Sequence, residues 1–581
     1  MSAIAVSWEV DARLHDDDDV PVFSTGAIPP PPAVAAAVAP VAAAAAAVDL
    51  PAGHPLTRRR AEAAEGSRAV GVDWRSRFGQ SWITSVRDQN PASSCVDFST
   101  TALVEAMVRI ERCMWITRSE GDLHDGAGRK VADGWWPTSA LEWVQANGLA
   151  DPGVYPWNLD DAPYAPTPDR GGRTTRIASW SAVVSADDQK DWLDLVGPLA
   201  ACFEVFEDFY AYGSGIYRPT PNMASAGWHC VLVIGYDDDA SCWLCKNSWS
   251  SSFGEDGFFR IAYGVSNFDV NPKWGLRGTN PDPFARRNHH AGNLIETADL
   301  EMLSTGRTGL RHWRHDGTGW KRAGSHATNA VACPTFTSTT YDRNLEGVYL
   351  TDTGRLRHVW NTSGAGGRWK SSAPFGPERS GVPGLVQNDY GNPGNFDVVV
   401  SNGQGALEHW WRNGSTLVWA PTVQFGASVA ASGPTLVQNR RRELEVVALL
   451  DDGSLQRFHR EDGGQWSWFA HEVFGGGEIG GYPVMIESTV HGASDERVQG
   501  NFELLAPTRT GRVVHYWKDN RGTGDWHRSV EFGSDIASVC GLAESSNGFA
   551  LEAVVLRRDG RLQHWSRDET GWAPGPVLGS P

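Results

Sequence analysis

The stretch Asp88-Gln89-Asn90-Pro91-Ala92-Ser93-Ser94-Cys95-Val96-Asp97-Phe98-Ser99 decides how the first half of the chain is read. Pro, Asn and Ser punctuate its first part, so Gln89 to Ser94 is expected to be a loop. From Cys95 onward, Phe98, Ala102, Leu103, Ala106, Met107 and Ile110 recur at helical spacing, which predicts a buried helix opening at or beside Cys95. A thiol at that point faces unpaired N–H groups and the positive end of the backbone dipole, which favours thiolate. An Asn or Gln side chain nearby is suited to donate to an oxyanion forming on a carbonyl attacked by that sulfur. Taken alone, the stretch also reads as a small buried cysteine opening a core helix, the commoner use of a free Cys.

Totals narrow the choices. At 581 residues the chain exceeds one core. A net charge of −18 argues against nucleic acid as a partner, because phosphate binding needs concentrated Lys and Arg. No apolar run approaches the roughly 20 residues of a membrane span. Eight cysteines show no paired CxxC pattern, and Cys242 and Cys245 lack a neighbouring His, so neither a zinc site nor any other cofactor is expected.

Three regions follow in order. Residues 1–69 are expected to be a disordered Ala/Pro-rich extension, with an acidic run (Asp16 to Asp19), a proline run (Pro29 to Pro32) and an alanine tract from Ala33 to Val48. The start does not resemble a signal peptide, and Arg58-Arg59-Arg60 reads as a processing site or solvated surface. Localisation is expected to be secretion by an unrecognised route, or otherwise cytoplasmic. Residues 70–281 read as an α+β domain, helical first and strand-rich second, with a cleft between two sub-lobes. From 282 to 581 a unit of about 50 residues recurs: Leu-x-His-Trp, a turn, a lone Trp, often Phe-Gly. It runs through Leu310…Trp320, Leu356…Gly376, Leu407…Gly426, Leu455…Gly475 (with Arg457 in the His place), Val513…Gly533 and Leu562…Trp572. Six units predict an all-β propeller of six blades.

A thiol nucleophile needs a base, and the base an orienter. His229 opens a strand 134 residues after Cys95, and Asn247 lies 152 residues after it. With these in view, residues 70–281 resemble a papain-like (cathepsin-type) cysteine peptidase. The matching pieces are Val72-Asp73-Trp74-Arg75, Asp88-Gln89-Asn90, Cys95 with Phe98-Ser99, Tyr155-Pro156, Asp208-Phe209…Tyr212…Gly215-Ile216-Tyr217, His229…Gly235-Tyr236 and Lys246-Asn247-Ser248-Trp249…Phe253-Gly254-Glu255-Asp256-Gly257-Phe258. The resemblance implies Cys95 as nucleophile and His229 as its ion-pair partner and acid/base. It implies Asn247 as the residue that holds the ring, Gln89 as oxyanion donor, and Trp249 as cover over the Asn247–His229 bond. Protein or peptide is the implied substrate; some family members transfer acyl groups to amines instead.

The departures are also informative. Ala92 and Ala132 stand where the family has a bridged cysteine pair. Trp135 replaces a glycine whose backbone pairs with substrate, so substrate runs differently or Trp135 walls off a subsite. Trp228 replaces an Asp or Asn before the histidine, and Cys202 and Cys230 align near an apolar pocket. No long helical pro-segment is recognisable in residues 1–69.

The propeller repeats resemble bacterial β-propeller lectins that bind fucose or related sugars. That resemblance implies glycans on a cell surface or glycoprotein as a partner, with His312, Trp313, His358, Trp360, His409, Trp410, His515, Trp517, His564 and Trp565 as sugar-contacting residues. An indole face stacks on sugar C–H bonds while imidazoles supply hydrogen bonds; a recurring Trp is equally what glues blades together. Two readings emerge: a cysteine endopeptidase targeted to glycans, or a carbohydrate-binding protein with an inactive papain-like domain.

Overall fold

A computed structural model describes residues 8–11, 23–28, 41–48, 50 and 54–578, apart from short stretches at 298–299, 307–308, 316–318, 327, 332–333, 342, 363–367, 392, 440, 462–465, 490–500, 520–523, 546–549 and 569. The acidic run, the proline run and the first part of the alanine tract lie outside the described residues. Two compact units divide the chain. One takes residues up to Pro166 and Thr174–Pro281; the other takes Thr167–Arg173 and nearly all of Asp282–Pro581.

In the first unit the elements are β1 (Trp8–Val10), α1 (Val41–Ala46), α2 (Pro55–Ala64), β2 (Gly71–Asp73), α3 (Cys95–Arg112), α4 (Glu120–Gly126), α5 (Pro137–Asn147), β3 (Leu149–Ala150), β4 (Thr174–Thr175), β5 (Ser179–Val183), α6 (Ala186–Leu195), β6 (Leu199–Phe206), β7 (Tyr212–Tyr217), β8 (Ser225–Asp237), β9 (Cys242–Lys246), β10 (Phe258–Ala262) and β11 (Lys273–Arg277). The main sheet runs β1-β7-β10-β9-β8-β6-β11-β5, with β2 added to β8.

Helix α3 starts at Cys95, as its apolar spacing predicts, and is buried on nearly every side. Leu103, Ala106, Met107 and Ile110 are fully enclosed; a large apolar side chain so placed contributes about 1.5–3 kcal/mol. Enclosure all round obliges its charged residues to find partners. Glu105 takes Arg87 at 2.6 Å, Thr84 Oγ1 at 2.7 Å and the Arg118 N–H. Glu111 accepts from the backbone N–H groups of Gly278 and Thr279.

The N-terminal extension departs from the expectation of disorder wherever it is described. β1 pairs antiparallel with β7, and Trp8 packs on Tyr212 and Tyr217. α2 is held to α6 by Arg59 on Asp194 and by Arg60 on the Leu195 carbonyl. Two arginines of the basic triplet are therefore engaged in packing, and only Arg58 is freely exposed. Tertiary contacts overrode local composition here.

The second unit is a six-bladed propeller, matching the repeat count. Its four-stranded blades comprise Leu294–His326, Thr335–Ser371, Ser380–Phe425, Val429–Phe474 and Val484–Phe532; the sixth, Ile536–Val577, gains His290–Gly292 from the start of the unit as a fifth strand. That borrowed strand ties the ring's beginning to its end. The preceding turn adds cross-ties to other blades: Arg286 pairs with Glu296, Asn288 accepts from the Glu487 N–H, His289 meets Glu544 and His290 meets Thr337.

The repeated motif turns out to be inter-blade packing. Each motif histidine is buried and bonded through Nε2 to a carboxylate of its own blade: His312 to Glu301, His358 to Glu346, His409 to Asp397, His515 to Glu503 and His564 to Glu552, at 2.6–2.9 Å. Arg457 does the same with Glu445. Each histidine ring also faces the lone Trp of the following blade, 5.6–6.0 Å away, from His312–Trp369 round to His564–Trp320. The Phe of Phe-Gly stacks on that same Trp, as in Phe425–Trp468 at 4.3 Å. This goes against the expectation that the histidines contact sugar, because each is buried with its Nε2 held by a carboxylate. Trp410 and Trp565 are likewise buried, whereas Trp313, Trp360 and Trp517 stay half-exposed. Replacing His515 by Ala strands the Glu503 carboxylate and is expected to destabilise the propeller by about 3–5 kcal/mol, read as a lowered urea midpoint at unchanged slope.

Candidate active site

Four elements bring the expected residues to one place. The loop before α3 supplies Gln89, α3 supplies Cys95, β8 supplies His229, and the end of β9 leads into Asn247 and Trp249. The loop is locked from behind: Gln89 N–H donates to the Ser248 carbonyl at 2.9 Å, and Ser248 Oγ donates to Gln89 Oε1 at 2.6 Å. The carboxamide's orientation is thereby fixed, and its Nε2 donor faces the cleft. Where the family has its bridged cysteines, Ser93 N–H donates to the Val131 carbonyl at 2.7 Å, joining the same two loops without sulfur.

Asn247 Oδ1 receives His229 Nε2–H at 2.7 Å. That leaves Nδ1, buried and without a partner, as the imidazole nitrogen available to sulfur. Trp249 lies against the His229 ring, 4.4 Å between centroids and 25° from parallel. The backbone N–H groups of Cys230, the residue directly after His229, and of Gly26 lie near the Cys95 thiol. All three groups are shut away from solvent.

What shuts them away is a piece of the N-terminal extension, the region expected to be disordered. Phe23-Ser24-Thr25-Gly26-Ala27-Ile28 runs through the cleft. Gln89 Nε2 and Trp249 Nε1 both donate to the Ser24 carbonyl, at 3.1 and 3.2 Å. Ser24 N–H donates to Asn90 Oδ1 and Ala27 N–H to the Trp228 carbonyl. Trp135 uses its N–H on the Gly26 carbonyl and its carbonyl on the Ile28 N–H, pairing parallel with the segment. Phe23 stacks on Trp249 at 4.7 Å and meets Phe253 edge-on. At Gly26 the fit is closest: a Cβ there would lie 2.0 Å from the Ser93 carbonyl oxygen.

The cover reverses the electrostatics expected of the pair. Burial pushes the Cys95 thiol well up, with the neighbouring Cys230 thiol adding to it; the two backbone N–H groups offset only part. Burial pulls His229 down to about 4, against a smaller opposing contribution from its bond to Asn247. The covered pair is a neutral thiol and a neutral imidazole, because desolvation outweighs the helix dipole. Among the described residues no cluster of three or more His, Cys, Asp or Glu is arranged to hold a metal.

Uncovering is therefore coupled to proton uptake. His229 in the covered form sits below its ordinary value of 6.5, so protons favour the open form. On the ordinary value of 6.5 the covered state's advantage erodes as pH falls from 6.5 toward 4 and is constant below that, and the imidazolium formed beside the thiolate on opening carries the upper end of the window higher. Across this window it loses about 3 kcal/mol. His54, at the start of α2, is held low as well. It caps α2 through Nδ1, and burial, then the Arg60 charge and to a lesser degree Arg109, holds it near 4. Protease susceptibility of residues 23–28 in the full chain is expected to rise on acidification through this range; a pH-independent rate would contradict the coupling.

Residues 69–273 match the model of the papain family cysteine protease. This segment is a papain-family cysteine protease domain. The papain-family domain is 28% identical over 219 residues to ananain of Ananas comosus (37% of this chain, 60% of that protein). It is 32% identical over 204 residues to thiol protease aleurain of Arabidopsis thaliana (33% and 55%), and 29% identical over 210 residues to pro-cathepsin H of Mus musculus (34% and 62%). The chain thus spans 55–62% of the length of these curated relatives, through its papain-family domain.

Proposed function

We propose that this chain is a latent thiol-dependent endopeptidase whose papain-family domain acts through Cys95, His229, Asn247 and Gln89. One observation carries the reading: a peptide carbonyl, that of Ser24, already sits on the Gln89 carboxamide beside the Cys95 helix terminus. Once the segment leaves, water re-enters, the desolvation that holds the thiol up and the imidazole down is relieved, and the thiolate–imidazolium pair forms. Cys95 then attacks a substrate carbonyl whose oxygen takes the place of the Ser24 carbonyl oxygen. His229 protonates the departing amine, and water activated by the same ring hydrolyses the thioester. Asn247 keeps Nδ1 turned toward sulfur throughout. Cleavage of an unstructured protein by the acid-treated chain, lost in Cys95→Ser, tests this; unchanged cleavage in that variant excludes Cys95 as nucleophile.

The propeller is proposed to hold the peptidase at glycosylated surfaces, raising its effective concentration there. With the histidines engaged in packing, half-exposed Trp313, Trp360 and Trp517 are the motif side chains left to meet a sugar ring. A glycan array probed with the full chain is expected to show binding that falls in Trp360→Ala. No bound glycan on the array would end this targeting role and leave the peptidase reading standing. Secretion suits a surface-directed enzyme and is proposed as its localisation.

A further inference from the structure

Peptide hydrolysis needs one sulfur, yet this cleft gathers three. Cys230 directly follows His229 on β8. Ser99, one turn along α3 from Cys95 and on the same helix face, touches Cys230 Sγ at 2.9 Å through its hydroxyl. Cys202 on β6 lies directly opposite Cys230 in the antiparallel ladder. Opposed residues in such a ladder have Cα atoms about 4.5–5.5 Å apart, inside the roughly 4.4–6.8 Å that a disulfide spans. All three are unbridged and buried. The Cys95 and Cys202 thiols both lie near enough to the Cys230 thiol for its charge to raise them. Cys230 is therefore a neighbour of both other thiols.

We propose that Cys230 is a resolving thiol for Cys95, and that Cys202 completes a relay which moves oxidation off the nucleophile. The inference rests on Cys95 being the reactive thiol of the opened cleft. The oxidant is a hydroperoxide. Cys95 thiolate attacks a peroxide oxygen; with hydrogen peroxide the O–O bond breaks, the sulfur becomes a sulfenic acid and one water leaves. Cys230 sulfur then attacks that sulfenic sulfur. The S–O bond breaks, the departing hydroxide takes the Cys230 proton as a second water, and a Cys95–Cys230 disulfide forms. Cys202 sulfur next attacks Cys230 sulfur, expelling Cys95 as thiolate, while the Cys202 proton passes to the medium or back to Cys95. Overall one peroxide is reduced to two waters, Cys202 and Cys230 are oxidised to a disulfide, and Cys95 is restored. The last exchange runs this way because the better leaving group is the thiol beside a helix N-terminus and an imidazole. Ser99 Oγ stands where it can donate to Cys230 as its negative charge develops.

The test uses the full chain carrying Gly26→Val, which opens the cleft. After exposure to hydrogen peroxide and thiol alkylation, peptide mapping is expected to find a Cys202–Cys230 disulfide and an alkylatable Cys95. In Cys230→Ala, Cys95 is expected to lose its thiol to sulfinic and sulfonic acid, which dithiothreitol does not reverse. In Cys202→Ala the bridge is expected to stop at Cys95–Cys230, reversible by dithiothreitol. No disulfide among the three in either Gly26→Val or its Cys202→Ala derivative, with Cys95 overoxidised as fast as in Cys230→Ala, would overturn the relay. Mapping reads covalent state and not turnover, so failure of the peptidase reading would be seen separately, as an absence of cleavage before any oxidant is added.

Discussion

Gly26→Val is expected to release the latent chain and raise its peptidase activity near neutral pH roughly 10–100-fold. The added Cβ meets the Ser93 backbone carbonyl at 2.0 Å, and the Gly26 carbonyl is itself pressed against Gly134, where a Cβ would lie only 2.6 Å from it. Neither neighbour is the movable end of a side chain, so the segment must leave. Overpacking of this kind costs about 1–3 kcal/mol, and each 1.4 kcal/mol shifts an equilibrium about tenfold. Activity is to be measured on a fluorogenic peptide with the full chain, against Thr25→Val as control. An activity equal to that of the unsubstituted chain would show that residues 23–28 do not limit access.

In that opened background, Gln89→Ala is expected to lower kcat by about 10²–10³, or 2.7–4 kcal/mol, the usual consequence of losing one oxyanion donor. The loop should survive the change, because the backbone bonds of Gln89 to Ser248 and Ala92 remain. KM should move far less than kcat, since the bond strengthens mainly as the carbonyl becomes an oxyanion. Equal loss in kcat and gain in KM would assign Gln89 to ground-state binding. In the unsubstituted chain the same change also removes a contact to Ser24, so the two effects oppose and only the opened background separates them.

These expectations differ in how far they were legible beforehand. The helix at Cys95 was readable because its apolar spacing is local and nothing in the structure competes with it. His229 and Asn247 were readable through chain order and the residues around them. The propeller count followed from the repeat itself. What the repeat was for did not follow, because His-Trp pairs serve sugar recognition and blade packing equally well in sequence. A signal did exist: an acidic residue stands twelve positions before His358, His409, His515 and His564, and also before Arg457. An acid that keeps its distance even when the base changes from His to Arg marks a buried pair. Residues 23–28 carried no such signal. Their partners lie at Asn90, Trp135, Trp228 and Trp249, far along the chain, and a six-residue extended segment has no periodicity to reveal.

The proposed chemistry needs a sulfur and an imidazole that become reactive only when Phe23–Ile28 is displaced. Labelling with a thiol-reactive epoxide at pH 6, followed by peptide mapping, tests this most directly. The predicted result is slow labelling of the unsubstituted chain, rapid labelling confined to Cys95 in Gly26→Val, and loss of that reactivity when His229→Ala is added. Labelling of Cys95 at the same rate in all three chains, or no labelling of Cys95 in Gly26→Val, would contradict it.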